Sequence, residues 1–408
     1  MLKQQIINNV ANLKIKYRED KIKFIISGFL FLFLFLFFFS CPAFSYSKLH
    51  ILPIVIMFII TIFTAIYEFF YNRFFVDKLI VSSIIYVLFV VISCIFNGFQ
   101  FYSTSYYLLP FFFIILYHLF SINSLFYNLS LKLFACGMFL FGCYFILLNY
   151  KALISFEFFR LGSSFGDENV IGTYFAMGAL LSLYYVLFKK DFLFLIPALL
   201  LFVLGLTTGS KAYILIVGLS IIFFIFALNG KKRIWLSCLI LSLFLVAFVL
   251  LLQLKAFATI KQRVLDFFDF LAHKKNDEST SGRIYYIFEA MFLFLKNPIV
   301  GYGIKGFARN STYGVYTHNT IMELLVNFGI IAMISFEIPL FYSLKKIRKK
   351  DNDNYIIDYF FIIMIIIGTL TYVQFLDKLY FLQLAFFAAS YKLRNPKDSD
   401  LVVIKFCG

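Results

Sequence analysis

Between Phe29 and Phe39 the chain contains nothing but Phe and Leu. Such a stretch has no polar face to turn to water, so protein or lipid must surround it on every side. Apolar runs of about the length that crosses a bilayer recur at 24–41, 49–70, 79–96, 106–121, 131–149, 169–188, 191–206, 212–228, 234–253, 319–343, 355–371 and 376–391. Of 408 residues, 62% are hydrophobic and 14% charged, too few polar groups to cover a soluble core of that size. In lipid every backbone polar group must be satisfied internally, and runs of this length do so as helices. The expected fold is an all-α polytopic membrane protein of about twelve transmembrane helices.

The net charge of +16 then reads as topology. With the N-terminus inside, 23 of the 37 basic residues fall on the cytoplasmic side, including Lys231-Lys232-Arg233 and the cluster from Lys345 to Lys350. The other side holds 14, nine of them in one long loop. Short loops report orientation, and there the bias places both termini in the cytoplasm. No folded basic module is present to bind nucleic acid. The basic N-terminus before the first span resembles a signal peptide, but the apolar stretch is too long and lacks a small-residue cleavage site. Cys41, Cys94, Cys136, Cys143, Cys238 and Cys407 show neither metal-ligand spacing nor a disulfide framework.

The expected organisation is a basic cytoplasmic N-terminus over 1–23, membrane helices one to nine over 24–253 and an external loop over 254–318. Helices ten to twelve follow over 319–391, then a cytoplasmic tail over 392–408. The loop between spans nine and ten is far longer than the rest, and long loops in compact proteins are usually functional or disordered. This one carries two apolar segments, Arg263 to Ala272 and Arg283 to Lys296, suited to docking on the membrane surface or the bundle.

Candidate chemistry gathers on the external side. Arg283 follows Ser281-Gly282, a plausible helix start, and Asn297-Pro298 stops the same helix. An arginine beside free backbone N–H groups suits a phosphate or diphosphate; the structural alternative is an arginine snorkelling to lipid headgroups. His318, followed by Asn319, stands at the mouth of the tenth span. Its ordinary pKa lets it take a proton from a hydroxyl near neutral pH; the alternative is an interfacial histidine bonded to a neighbour. Lys211 closes the corner Thr207-Thr208-Gly209-Ser210-Lys211, and Arg160 heads RLGSSFGDEN, whose Asp167, Glu168 and Asn169 could bind sugar hydroxyls or close the entry to the helix that Asn169 opens. Each reads either as a substrate ligand or as ordinary loop and cap chemistry. His50 and His118 sit at span ends with no candidate ligand group beside them in sequence and read as structural. Asp351 and Asp353 form a DxD pair in a solvated turn on the predicted cytoplasmic side, which does not suit a nucleotide-sugar metal site, and no metal is expected.

In chain order, RLGSSFGDENVIGTYFAMG, LTTGSKAYIL, SGRIYYIFEAMFLFLKNPIVGYGIKGF and THNTIMELLVNFGI resemble the O-antigen ligase and O-antigen/capsule polymerase superfamily. The likeness covers about residues 155–345; the first five spans match only as generic hydrophobic helices. It implies a GT-C-like membrane fold and a glycosyltransferase that needs neither metal nor cofactor, facing outward from the bacterial cytoplasmic (inner) membrane. Its partners would be an undecaprenyl-diphosphate-linked oligosaccharide donor, a glycan acceptor, membrane lipids, a chain-length regulator and a flippase. Carried across, Arg283 would bind the donor diphosphate and His318 would act as base on the acceptor hydroxyl. Lys211, Arg160, Asn319 and Asn169 would bind substrate. Lys211 stands where the family usually shows arginine, which keeps the charge and loses the bidentate fork.

Within that superfamily, TGSK and the intact ELLVNFG look more like polymerase members, which extend O-antigen, capsule or exopolysaccharide. The alternative is a ligase that moves the glycan onto a lipid A core or protein. A third reading, a lipid-linked oligosaccharide transporter, fits twelve spans. Carriers commonly show internal repeats and mid-span charges, whereas the two halves here show no convincing repeat and the candidate charges cluster at the external edge.

Overall fold

The computed structural model describes residues 2–44, 49–71, 74–98, 105–155, 161, 165, 167–227, isolated positions between 235 and 269, 278–344, 355–394 and 400–404. Its helices are α1 (Leu2–Phe44), α2 (Ile51–Tyr71), α3 (Lys78–Asn97), α4 (Ser105–Phe120), α5 (Ser124–Ile154), α6 (Glu168–Lys189), α7 (Leu195–Thr207) and α8 (Lys211–Ala227). After these come α9 (Glu278–Lys296), the short α10 (Gly306–Asn310), α11 (Thr320–Leu344), α12 (Tyr355–Thr371) and α13 (Lys378–Arg394). Six of them contain segments long and apolar enough to cross a membrane, and shorter apolar helices lie at Leu108–Phe120, Phe192–Thr207, Lys211–Ile225 and Tyr355–Thr371. The protein is an all-α, polytopic integral membrane protein. Most of the ninth predicted span and of the segment Arg263 to Ala272, together with Lys231-Lys232-Arg233, Lys345 to Lys350, Asp351 and Asp353, lie outside the described residues.

Burial follows position in the bundle, and hydropathy does not track it. The outer helices turn Phe24, Leu147 and Leu193 outward, while α6 and α13 are enclosed over nearly their whole length. Phe386 of α13 stacks on Phe120 of α4 at 4.1 Å and on Phe361 of α12 at 5.8 Å, which places it in the aromatic centre. The last predicted span carries Asp377 and Lys378 near its start, which makes it the least secure of the twelve as a membrane crossing. It is the central helix, so its side chains meet protein in place of lipid, and Gln383 sits between the Met177 and Met364 sulfurs at 3.9 Å.

Alternating helices separate two ends. At one end a two-stranded antiparallel ribbon pairs β1 (Phe74–Asp77) with β2 (Asp400–Ile404). There Asp77 caps α3 through the N–H groups of Leu79 and Ile80 and accepts the Tyr117 hydroxyl at 2.5 Å. The other end carries the starts of α6, α8 and α11, and the candidate residues gather there.

Mid-length, α11 is broken at Gly329, whose φ of +80° suits glycine. A helix broken at membrane depth leaves backbone groups that other protein must satisfy, and the turn after α9 does so. Tyr302 and Gly303 donate to the carbonyls of Val326 and Asn327 at 2.9 and 2.8 Å, and Ile330 donates to the Pro298 carbonyl at 2.9 Å. The Asn327 side chain accepts from Phe307 N–H at 3.0 Å and donates to Glu323 at 3.1 Å. A Cβ at Gly329 would lie 2.0 Å from the Ile299 oxygen. NPIVGYG and ELLVNFG are thus two halves of one lock.

Candidate active site

The start of α6 forms one wall. Asp167 is its cap, accepting from Asn169 N–H at 2.7 Å. Capping was the alternative reading of Asn169; Asp167 takes that part, its charged oxygen accepting the free N–H groups from the residue just before the helix. Asn169 is thereby freed for the neighbouring corner, and its Oδ1 accepts the Ser210 hydroxyl at 3.0 Å. That bond holds the Thr207–Lys211 turn against α6 and puts Lys211, the first residue of α8, at the same end. Leu161 N–H also bonds to the Thr207 carbonyl at 3.1 Å. Arg160 itself lies outside the described residues.

The second wall is α9. The helix start expected at Ser281-Gly282 is corrected, because the helix already includes Glu278. Arg283 therefore stands beyond the first turn, where the backbone N–H groups already serve the helix, and offers its guanidinium alone. From Arg283 α9 runs about 20 Å alongside the first half of α11, with Ala290 and Leu293 packed against Phe307 and Val326. Its opposite face leaves Tyr285, Phe288, Phe292 and Leu295 exposed, an apolar stripe at helical spacing. The turn after α9 then locks onto Gly329, which fixes where Arg283 sits.

His318 lies between these walls with φ +55°, a left-handed conformation that is uncommon outside glycine although histidine is among the enriched exceptions. The residues on either side hold it there. Thr317 N–H donates to Glu323 at 2.8 Å, and the Thr317 hydroxyl donates to the Asn319 carbonyl at 2.8 Å. Asn319 caps α11, its Oδ1 accepting from Met322 N–H at 3.0 Å. Asn319, expected to bind substrate, thus also serves the helix through its side-chain oxygen. The imidazole lies between Tyr316, 4.1 Å away, and Tyr286, 6.2 Å away and nearly parallel. Burial, reinforced by the Arg283 cation, pushes His318 down to about 4, with Asp167 pulling the other way. The ring is thus neutral at physiological pH, and it senses both walls.

The structure brings His318, Arg283, Asn169 and the Lys211 corner to one place, joined by two residues that sequence reasoning left unused. Tyr316 donates its hydroxyl to Asp167 at 3.3 Å while its ring covers His318. Asp377, just before α13, accepts from Leu379 N–H at 2.9 Å, and burial pushes its carboxyl up to about 6. A carboxylate in a loop on the same side as the candidate cations was the available signal for Asp377.

Residues 195–336 match the family model described as O-antigen ligase. The match runs from α7 through the Lys211 corner and Arg283 to His318 and the Gly329 lock. This match supports the resemblance to the O-antigen ligase and polymerase superfamily. No curated protein matches the chain. A match to the O-antigen ligase family model suggests a glycosyltransferase-like enzyme acting on lipid-linked glycans. The matched O-antigen ligase segment stops short of α6, so Asp167 and Asn169 join it through tertiary contact.

Proposed function

We propose that this chain is a polysaccharide polymerase of the outer face of the bacterial cytoplasmic membrane, joining polyprenyl-diphosphate-linked oligosaccharide repeat units. The observation that carries the reading is the pairing of a neutral imidazole with a nearby guanidinium, His318 with Arg283, on two segments locked together at Gly329. A diphosphate is already a good leaving group. The enzyme therefore needs a cation where charge develops, a base for the incoming hydroxyl, and an apolar place for the tail.

In this reading Arg283 and Lys211 bind the donor diphosphate. His318 accepts the proton of the acceptor hydroxyl as that oxygen forms a bond to the anomeric carbon. The bond from that carbon to the phosphate oxygen breaks, and polyprenyl diphosphate leaves with the electron pair. The histidine then releases its proton to solvent. A base near pKa 4 is weak, and the donor corrects this. Its negative charges offset Arg283 and raise the imidazole toward its ordinary range, so His318 gains basicity once the diphosphate is in place.

The twelve-span count, the long external loop, the cytoplasmic termini and independence from metal belong to the same proposal. So do the regulator and flippase as partners. The family description favours a ligase as the second reading, with the same donor and a lipid-core or protein acceptor. The test is to incubate purified protein with its lipid-linked repeat unit and no other acceptor. A ladder of lipid-linked products, lost in His318→Ala, is expected. Transfer only after a lipid-core or protein acceptor is added would establish the ligase, and no transfer with either would leave the carrier.

A further inference from the structure

The segment from Ser311 to Thr317 holds two tyrosines in water beside the imidazole. Tyr313 and Tyr316 are 44% and 38% exposed, yet their backbone is pinned. Thr312 donates its N–H and hydroxyl to the two oxygens of Glu289 at 2.8 and 3.1 Å, and Thr317 N–H is held by Glu323. Gly314 turns the chain between them at φ +66°. The Tyr313 ring lies 4.6 Å from Tyr286, which in turn faces His318. Tyr316 covers the other side of that imidazole and reaches Asp167. Rigid aromatic faces left in water gain nothing for folding, because burying them would be worth more.

We propose that Tyr313, Tyr316 and Asp167 form the binding subsite for the terminal sugar ring of the acceptor, and that this ring is a neutral or N-acetylated pyranose. The inference rests on the glycosyltransfer reading above. A pyranose presents a face of polarised C–H groups and a rim of hydroxyls. The electron-rich face of a tyrosine attracts the first. A carboxylate, which only accepts hydrogen bonds, suits the second. Asp167 keeps acceptor capacity after serving Asn169 N–H and Tyr316. Its charge opposes a uronate placed on the same rings. Since Tyr316 touches both Asp167 and His318, a ring held there brings its hydroxyls to the base.

The test uses the full chain in lipid nanodiscs, with methyl glycosides of glucose, N-acetylglucosamine and glucuronic acid as probes for saturation-transfer NMR. The first two should bind and the glucuronide more weakly. Tyr316→Ala and, separately, Tyr313→Ala should each weaken the neutral sugars by at least about threefold, the size expected for one lost aromatic contact. Asp167→Asn, which still offers an oxygen to Asn169 N–H, should bring the glucuronide level with the others. Farnesyl diphosphate binding should be unchanged in the tyrosine variants. Unchanged sugar binding in both would overturn the subsite. So would a wild-type preference for the glucuronide, no glycoside signal in the wild type, or loss of farnesyl diphosphate binding alongside the sugars. Sugar binding without any transfer from a lipid-linked donor would instead sink the glycosyltransfer reading and leave the subsite standing.

Discussion

Two histidines at opposite ends of the bundle show how differently this protein treats the same side chain. His118 is buried in α4, with Nδ1 2.8 Å from Glu68 and its ring 4.1 Å from Phe75. Its end of the molecule is full of matched charges: Lys132 meets Asp191 at 2.9 Å, Arg394 meets Asp358, and Lys392 lies over Phe75. His318 is half-exposed, sits on a left-handed residue and has an arginine as its charged neighbour. One end pairs its charges and closes. The other gathers cations, a neutral base and exposed aromatic rings, an arrangement that gives little to stability and suits an anionic ligand with a sugar attached.

The strongest way to break this contrast is to exchange the consequences. His318→Ala or Arg283→Ala should lower transfer by about 100-fold or more, the span of a lost general base or charge contact, with melting temperature and protein level unchanged. His118→Ala should leave Glu68 buried and unpaired. It should cost about 3 kcal/mol while each folded molecule keeps its rate. Parallel thermal-shift and transfer assays read both. If His118→Ala abolished transfer without loss of stability, the chemistry would be at the wrong end.

The lock between the turn after α9 and the break in α11 lies between these extremes. Asn327→Ala removes the acceptor of Phe307 N–H and the donor to Glu323, and should destabilise by about 2 kcal/mol. Because the lock fixes α9, Arg283 would lose its placement, and donor KM should rise about tenfold, the equivalent of one weakened charged hydrogen bond. Gly329→Ala should be worse on both counts, given the clash with Ile299. Wild-type donor KM in a destabilised Asn327→Ala would separate stability from the placement of Arg283.

This lock also marks where the sequence stopped being legible. Period and hydropathy find lipid-crossing helices well, and the ordered motifs pointed to the residues the fold gathers at one end. ELLVNFG, however, reads as uninterrupted helix, because Gly329 has nothing beside it in sequence to announce a break. Its reason is the carbonyl of Ile299, some thirty positions earlier. Arg283 was placed at a helix start because Ser281-Gly282 looks like a cap, whereas the helix already includes Glu278. Tyr316 went unused because it stands far in sequence from Asp167 and acquires meaning only in contact with it, 3.3 Å away. The central position of α13 was hidden because hydropathy measures likeness to lipid, and a helix enclosed by protein need not resemble it.

The acid limb of the reaction refines the contrast at smaller amplitude. His318 is held down to about 4 by burial and Arg283, and a base works in its unprotonated form. For the free enzyme, kcat/KM should therefore rise with pH through about 4 and be flat near neutrality, where the imidazole is already neutral. With the diphosphate bound the imidazole should be more basic, so the limb in kcat should lie at higher pH than the limb in kcat/KM. Limbs at the same pH would remove donor-induced activation from the scheme. A limb that persisted in His318→Ala would move it to another group, Asp377 being the nearest in range, at about 6.

The smallest effect compares cation with cation at the two ends. Lys211→Arg restores the residue type the superfamily resemblance leads one to expect at the corner. A diphosphate offers oxygens in several directions, and ammonium and guanidinium both satisfy it, the second by a bidentate fork. Donor KM should thus change by no more than about threefold, with kcat held, because the charge remains and only the fork is added. At the closed end the reverse exchange should be felt. Arg394 reaches Asp358 and Ser390 together from one planar group, and a lysine cannot span both. Arg394→Lys should lower stability by about 1–2 kcal/mol without altering donor KM. If Lys211→Arg proved the more damaging of the two, the corner would be a fitted structural contact like those around Arg394, and the diphosphate would be left to Arg283 alone.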